Sequence, residues 1–393
     1  MAIKLRLETA LIVTCIKRII YNTRDYDKDI VLLLNRTIAW PEFKRLVLYN
    51  GLASFMYITL KPFYSLLPED IKEFLHTQYI YSLRNNIFKM QEYKVIYGTF
   101  QKEEIKVVPI KGIALLFDLY AERPIRHMSD IDILIQRKDY IKATEALQKI
   151  GYQKKLFGLT EEYWLTKQNH VSFIKSGKNP NILALDVHYY MDFKRNNKEI
   201  LPFTWERNRL FELNGFKIEL LSPEDTFFSL ALHQRRFGNM FCLKYVLDAA
   251  LIMQKYKNAI AWDYIKEMCR IYHLSSCLYF LLLQVNVVLD SKDFTAYTED
   301  LPVPSHKKHI MRKFISDNIN SYSLRQRIKD IYLKSHFLLY DSYYEPLVYI
   351  LNIPLEQFAK YYSLKPYAAK TRLLYRYRFL YFLMSVFKKC FII

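Results

Sequence analysis

Asp130 and Asp132 stand two residues apart in the run Asp130-Ile131-Asp132-Ile133-Leu134-Ile135. Apolar residues flank them, so the run reads as a strand. On a strand, positions i and i+2 face the same way, with Cα atoms about 6.6 Å apart. Two carboxylates at that spacing can share divalent cations and hold a phosphate for an attacking group. The plainer alternative is a solvated strand end. Two charges beside a buried run are costly, however, unless a metal or hydrogen bonds compensate. Upstream, the apolar run from Ile105 to Ile110 breaks at Lys111-Gly112, and Gly112 to Tyr120 has helical spacing. A strand-to-helix turn presents backbone N–H groups to phosphate. Gly112 permits close approach, and the Lys111 ammonium can pair with the anion. An ordinary turn with a solvated lysine is the competing reading. Arg126 fits two roles equally: a bidentate phosphate clamp, or a buried cation that neutralises Asp130. Arg123 lies just before it.

Several elements must hold these residues. Ile105 to Ile110 and Asp130 to Ile135 are expected strands, as are Val171 to Lys175, Ile182 to His188 and Phe216 to Leu221. Gly177 to Asn181 reads as a hairpin-like turn. Lys138 to Ile150 is an expected helix capped by Gly151. Strand-helix-strand-helix followed by a hairpin fits a small mixed sheet with helices on one face. The flanks read as helical. Trp40-Pro41-Glu42 and Pro68-Glu69-Asp70 are helix starts, and the charged run from Asp70 to Gln101 is one helix or two. Ser222-Pro223-Glu224-Asp225 supplies an N-cap, a proline at the first turn and two acids behind it. The expected division is a helical region over 1–103, an α/β core over 104–221 and a helical region over 222–393. The fold class is α+β.

The 393 residues are 51% apolar and 16% aromatic, enough to fold around a sizeable core. Only 8 glycines argue against a turn-dense all-β fold. The net charge of +19, spread along the chain, attracts polyanions such as nucleotides, RNA or acidic lipid. The 5 cysteines form no C-x-x-C pair and read as reduced, mostly buried thiols. The first twenty residues read as an amphipathic helix, not a signal peptide. No apolar stretch reaches the roughly 18 residues of a spanning helix, so a cytoplasmic protein is the default. No zinc-ligand spacing, Walker A loop or G-x-S-x-G motif is present.

Lys111-Gly112, Tyr120, Arg123, Arg126 and Asp130-Ile131-Asp132 together resemble the uncharacterised nucleotidyltransferase family of the DNA polymerase β-like superfamily. That family's pattern is lysine-glycine, a helix ending near tyrosine, an arginine, then two aspartates on a strand. Lys111-Gly112 stands where the superfamily usually has glycine-serine. Trp40, Leu185-Asp186-Val187-His188, Ser222-Pro223-Glu224, His233 and Asp248 extend the likeness, which runs from about residue 40 to about residue 255. The resemblance implies three carboxylates holding two Mg²⁺ ions, with Mn²⁺ as a substitute. Asp130 and Asp132 are the first two. Asp186 is the third, its alternative being an ion pair with a nearby base. Phosphate contacts fall to Lys111, Gly112 and Arg126. His233 and Asp248 are expected at the nucleotide cleft, against helix packing and a surface Lys244–Asp248 pair. His188 shares a face with Asp186, but reads first as a structural histidine.

The implied activity moves a nucleoside monophosphate from an NTP to an acceptor: a small molecule, a peptide or protein, or an RNA end. Two alternatives stand beside it. One is a catalytically inactive nucleotide-binding or interaction module on the same fold. The other is an RNA- or membrane-binding protein in which the acidic site is incidental. The segment Lys370 to Lys389 alternates cations with aromatics and reads first as a packed terminal helix with snorkelling cations.

Overall fold

Helical spacing of apolar residues builds the first third of the chain, seen here in a computed structural model that describes residues 4–122, 125–176, 182–192, 199, 201–237, 241–290, 295–320, 338–365 and 368–380. The helices are α1 (Leu7–Ile20), α2 (Asp27–Leu34), α3 (Trp40–Tyr49), α4 (Ala53–Leu60) and α5 (Glu69–Lys102). Proline stands in the first turn of α3. An extended Pro68 precedes α5, with Glu69 and Asp70 in its first turn, where acids favour the positive helix end. The run that read as one or two helices is a single helix of 34 residues. No proline interrupts it, and Ile71, Leu75, Tyr93, Ile96 and Phe100 keep one buried stripe.

The central sheet has five strands: β1 (Val107–Ile110), β2 (Ile131–Ile135), β3 (Gln153–Lys155), β4 (His170–Ser176) and β5 (Ile182–His188). Their order is β1-β2-β5-β4-β3. Strands β2 and β5 run parallel, and all other neighbours are antiparallel. Pro109 cannot donate to a ladder, and it sits on β1, an edge strand where that costs least. At the opposite edge β3 carries Gln153, Lys154 and Lys155, polar residues that blunt edge pairing. Helix α6 (Lys111–Asp118) follows β1, while α7 (Tyr140–Lys149) and α8 (Glu161–Lys167) lie in the crossover from β2 to β5. Gly151 takes φ +91° just beyond α7, a conformation that suits glycine at a helix end. A separate hairpin pairs β6 (Arg209–Leu213) with β7 (Phe216–Leu220). Asn214 and Gly215 both have positive φ at its turn, as a two-residue hairpin loop demands.

From Ser222 the chain is helical: α9 (Pro223–Phe237), α10 (Leu243–Tyr256), α11 (Trp262–Tyr272), α12 (Ser275–Leu289), α13 (Thr295–Glu299) and α14 (Ser305–Asn318). Ser222 Oγ accepts the Asp225 backbone N–H at 3.1 Å, the expected cap. Helix α12 is apolar nearly all round and almost wholly buried, as a central helix must be. Helix α1 packs on α10 and α12, so the first and last helical regions share one apolar core.

Three expectations need adjustment. Strand β2 starts at Ile131, so Asp130 lies just outside it. Strands β3 and β6 were not expected; β3 is short and polar, and β6 buries none of its residues fully. The hairpin-like turn at 177–181 lies outside the described residues, although the β4 and β5 flanking it pair antiparallel. Of the basic-aromatic C-terminal segment, Ala369–Arg376 is helical, and Tyr375 Oη donates to the Ile353 carbonyl at 2.8 Å. Residues 381–393 lie outside the described residues. Among the described residues, no helix is long and apolar enough to cross a membrane.

Candidate active site

Strand alternation sorts the sheet into two faces. Ile131, Ile133, Ile135, Val171, Phe173, Leu185 and Val187 enter the main core from one side. Asp132, Asp186, His188, Ser172 and His170 therefore share the other. Parallel pairing of β2 with β5 sets Asp132 beside Asp186 and Leu134 beside His188. Antiparallel pairing of β4 with β5 adds Ser172 beside Asp186 and His170 beside His188. One ligand atom each from Asp132, Asp186 and His188 falls within 4.8 Å of the others. Asp130 stands half-buried at the mouth of β2, where Ser129 Oγ donates to its carboxylate at 3.0 Å.

Lys111 begins α6 and turns its side chain onto this face. Its Nζ lies 2.5 Å from Asp132 Oδ1 and 3.1 Å from His188 Nε2, which is itself 3.0 Å from Asp132 Oδ1. Nε2 cannot accept from Lys111 and donate to Asp132 at once, so the tautomer of His188 chooses between the two bonds. His170 stacks on His188 with ring centroids 4.9 Å apart. Ser172 Oγ donates to Asp186 Oδ1 at 2.6 Å, and His170 Nε2 lies 3.7 Å from Asp186 Oδ2. Lys111 has φ +52°, a left-handed conformation that a side-chain-bearing residue rarely adopts.

The three carboxyls are driven apart in acidity. Burial alone would raise Asp132, but the Lys111 ammonium and the His188 bond outweigh it and hold the carboxyl far below the usual range. Asp186 is pushed up to about 6 by burial and then by the charge of Asp132, with Ser172 opposing. Asp130 is raised as well, by burial first and Asp132 second.

Gly112 and Arg126 meet beside this face. A Cβ on Gly112 would lie 3.0 Å from Arg126 Nη1 and 3.1 Å from Met128 Cβ, so the glycine lets this loop pack against α6. The remaining donors of Arg126 turn away. Nε lies 2.9 and 3.0 Å from the two oxygens of Asp248, Nη2 lies 2.8 Å from Oδ2, and Tyr120 Oη donates to Oδ1 at 2.9 Å. Both charges are buried. Arg126 thus neutralises Asp248, not Asp130, and Nε and Nη2 of its fork are held by α10. Asp248 is a buried anchor and forms no surface pair with Lys244. His233 Nε2 lies 2.9 Å from Tyr245 Oη, across the contact between α9 and α10. Arg123 lies outside the described residues.

Sequence reading missed a second group of cations. Lys89 of α5 donates to the Met128 carbonyl at 2.8 Å, and Lys244 of α10 reaches toward the His127 carbonyl at 3.5 Å. Among the described residues, neither lysine has a carboxylate within ion-pair distance. Burial lowers the pKa of both. His127 falls to about 4 through burial and then the charges of Lys244, Lys89 and Arg126. Such a concentration of positive charge favours an anion beside Asp130. Only the fold assembles it, since the lysines come from helices far apart in sequence.

A family model described as "Uncharacterised nucleotidyltransferase" matches residues 36–290. No curated protein matches the sequence. Among solved structures, the chain is similar to a solution structure of the antibiotic-resistance factor ANT(2'')-Ia, at 10% identity and a TM-score of 0.34, over 48% of this chain and 92% of that one. It is also similar to a crystal structure of ANT(2'')-Ia in complex with adenylyl-2''-tobramycin, at 9% identity and a TM-score of 0.33, over 47% of this chain and 97% of that one. Likeness at these scores carries no argument about substrate.

Two outcomes follow from the buried charges. Asp248→Ala strands the Arg126 guanidinium and should destabilise the fold by about 3–5 kcal/mol in urea unfolding; a near-neutral change would show that the pair does not anchor the loop. Asp186 holds its proton more tightly in the folded chain, at about 6 against an ordinary 3.8. Its contribution therefore favours the fold in acid and is lost as pH rises through about 6. In chelator at alkaline pH, Asp186→Asn should be the more stable protein, by on the order of 2 kcal/mol. Equal stability across the pH range would contradict the raised pKa.

Proposed function

The chain belongs to the uncharacterised nucleotidyltransferase family, a family of transferases, and from that premise we propose that it moves a nucleoside monophosphate from an NTP to an acceptor with release of pyrophosphate. One observation carries the reading: Asp132 and Asp186 lie in register on adjacent parallel strands, with His188 completing a close group of ligand atoms. We assign the reaction to the core over residues 104–221, with the helical regions over 1–103 and 222–393 framing it.

The donor set fits a divalent cation. Carboxylates suit Mg²⁺, and an imidazole beside them also accommodates Mn²⁺. Asp130, Asp132 and Asp186 are the carboxylates we assign to it, with His188 as a further ligand. When bound, the cation neutralises phosphate charge and lowers the pKa of the acceptor group. The chain's own residues do the rest. Asp186, beside the cation and bonded by Ser172, is suited to orient the acceptor and take its proton. Lys111 at the start of α6, together with Lys89 and Lys244, supports the phosphate chain. These lysines take the role that Arg126 would have filled, because its fork is held by Asp248. Gly112 contributes backbone and keeps the Arg126 loop close. His233 contacts Tyr245 of α10, and through it we link it to the cleft. The net charge of +19 favours a polyanionic acceptor such as an RNA end over a neutral small molecule or peptide.

The second reading is a nucleotide-binding module without turnover. The observation that favours it is the Lys111 ammonium on Asp132, where the cation would bind.

Calorimetry with ATP, GTP, CTP and UTP, with and without Mg²⁺, tests the site. At least one NTP should bind in a metal-dependent manner, and Asp132→Asn should weaken that binding about tenfold or more, the loss of one charged contact. Metal-independent binding, unchanged in the variant, would remove the assignment. Metal-dependent binding with no pyrophosphate release in the presence of candidate acceptors would favour the module.

A further inference from the structure

The ammonium of Lys111 and a divalent cation need the same partners. Nζ lies 2.5 Å from Asp132 Oδ1 and 3.1 Å from His188 Nε2, and these two side chains are two of the three that form the candidate cation group. Both are buried, so solvent does little to loosen the contact. A cation coming alone would have to push a positive charge off a buried carboxylate while itself taking up Asp130 and Asp186, the other carboxylates near Lys111. A polyphosphate changes that balance. It supplies the anion, and Lys89 and Lys244 already draw negative charge toward the loop packed on Gly112 at the start of α6. Lys111 is the first residue of that helix, and its four-carbon stem can swing between the two positions by side-chain rotation. The left-handed backbone at Lys111 agrees with a constrained, functional position, since such conformations persist where the surroundings over-determine them.

We propose that Lys111 is an internal counter-cation which closes the divalent-cation site until the polyphosphate of a nucleotide draws its ammonium off Asp132 and His188. The cation then loads together with the nucleotide, and free cation is excluded. This rests on the nucleotidyl-transfer reading of the same site. Lys111 acts as a positioning residue: it couples an anion site to a cation site, and by linkage each ligand raises affinity for the other equally.

Mn²⁺ binding to the full chain, followed by the electron paramagnetic resonance of the unbound ion, reads this directly. A non-hydrolysable ATP analogue stands in for nucleotide. The wild type should bind free Mn²⁺ weakly and gain about tenfold to a hundredfold with the analogue, the usual span of coupling between sites. Lys111→Met should bind free Mn²⁺ tighter than wild type by a similar factor and gain little more from the analogue. Lys111→Gly, which also suits the positive φ, should behave the same way and guards against a misfolded methionine variant. Lys89→Met removes a neighbouring charge without vacating the contact, and should raise free Mn²⁺ affinity far less. The gate falls if wild type binds free Mn²⁺ as tightly as the Lys111 variants, or if Lys89→Met matches them; the metal site then stands without it. If none of these proteins binds Mn²⁺ better than Asp132→Asn, with or without the analogue, the site reading falls and takes the gate with it.

Discussion

The parallel pairing of β2 with β5 is the constraint on which the rest of the site depends. It sets Asp132 directly beside Asp186 on one face of the sheet, with Asp130 at the strand mouth. Carboxylates so placed repel one another and lose hydration, which is why Asp186 and Asp130 are pushed up in pKa while Asp132 is held down by Lys111 and His188. Every polar neighbour answers that charge: Ser172 and His170 from β4, Lys111 from α6, and Lys89 and Lys244 beyond the loop. Pairing of this kind also requires a long crossover. Here the crossover holds α7, α8, β3 and β4, and β4 returns to supply two of the groups that surround Asp186.

Periodicity made much of this legible. Alternation in Asp130 to Ile135 and Ile182 to His188 revealed both strands and the facing of Asp132, Asp186 and His188, because a period of two leaves little freedom. The Ser222-Pro223 start and the Gly151 stop were readable because caps are local chemistry. The long helix α5 was harder, since its charged faces do not say whether a break intervenes. Strands β3 and β6 bury too little to show a pattern.

Side-chain partners across distant elements were not legible. The partners weighed for Arg126 were a phosphate and Asp130, four residues on; the carboxylate it meets, Asp248, arrives from α10. Asp248 was expected at the nucleotide cleft, with a surface pair to Lys244 as the alternative, but its position on α10 points it inward to Arg126. Helical spacing says which residues share a face, not what that face will meet. The cation group of Lys89 and Lys244 around His127 was missed for the same reason. In each case the information lies in the docking of α5 and α10 against the loop before β2, and no local pattern encodes that docking.

The Arg126–Asp248 contact has a consequence for modularity. It joins the loop that leads into the acidic strand to a helix of the C-terminal region by two charges hidden from water. Cutting between the sheet and the later helices would leave a bare guanidinium inside one piece and a bare carboxylate inside the other. A chimera that grafts this sheet onto another protein's helices must therefore carry both partners or replace both. The acidic face and the helical lobe are then inherited as a unit, and variation in acceptor choice is expected in the loops around the cleft instead of through exchange of whole lobes.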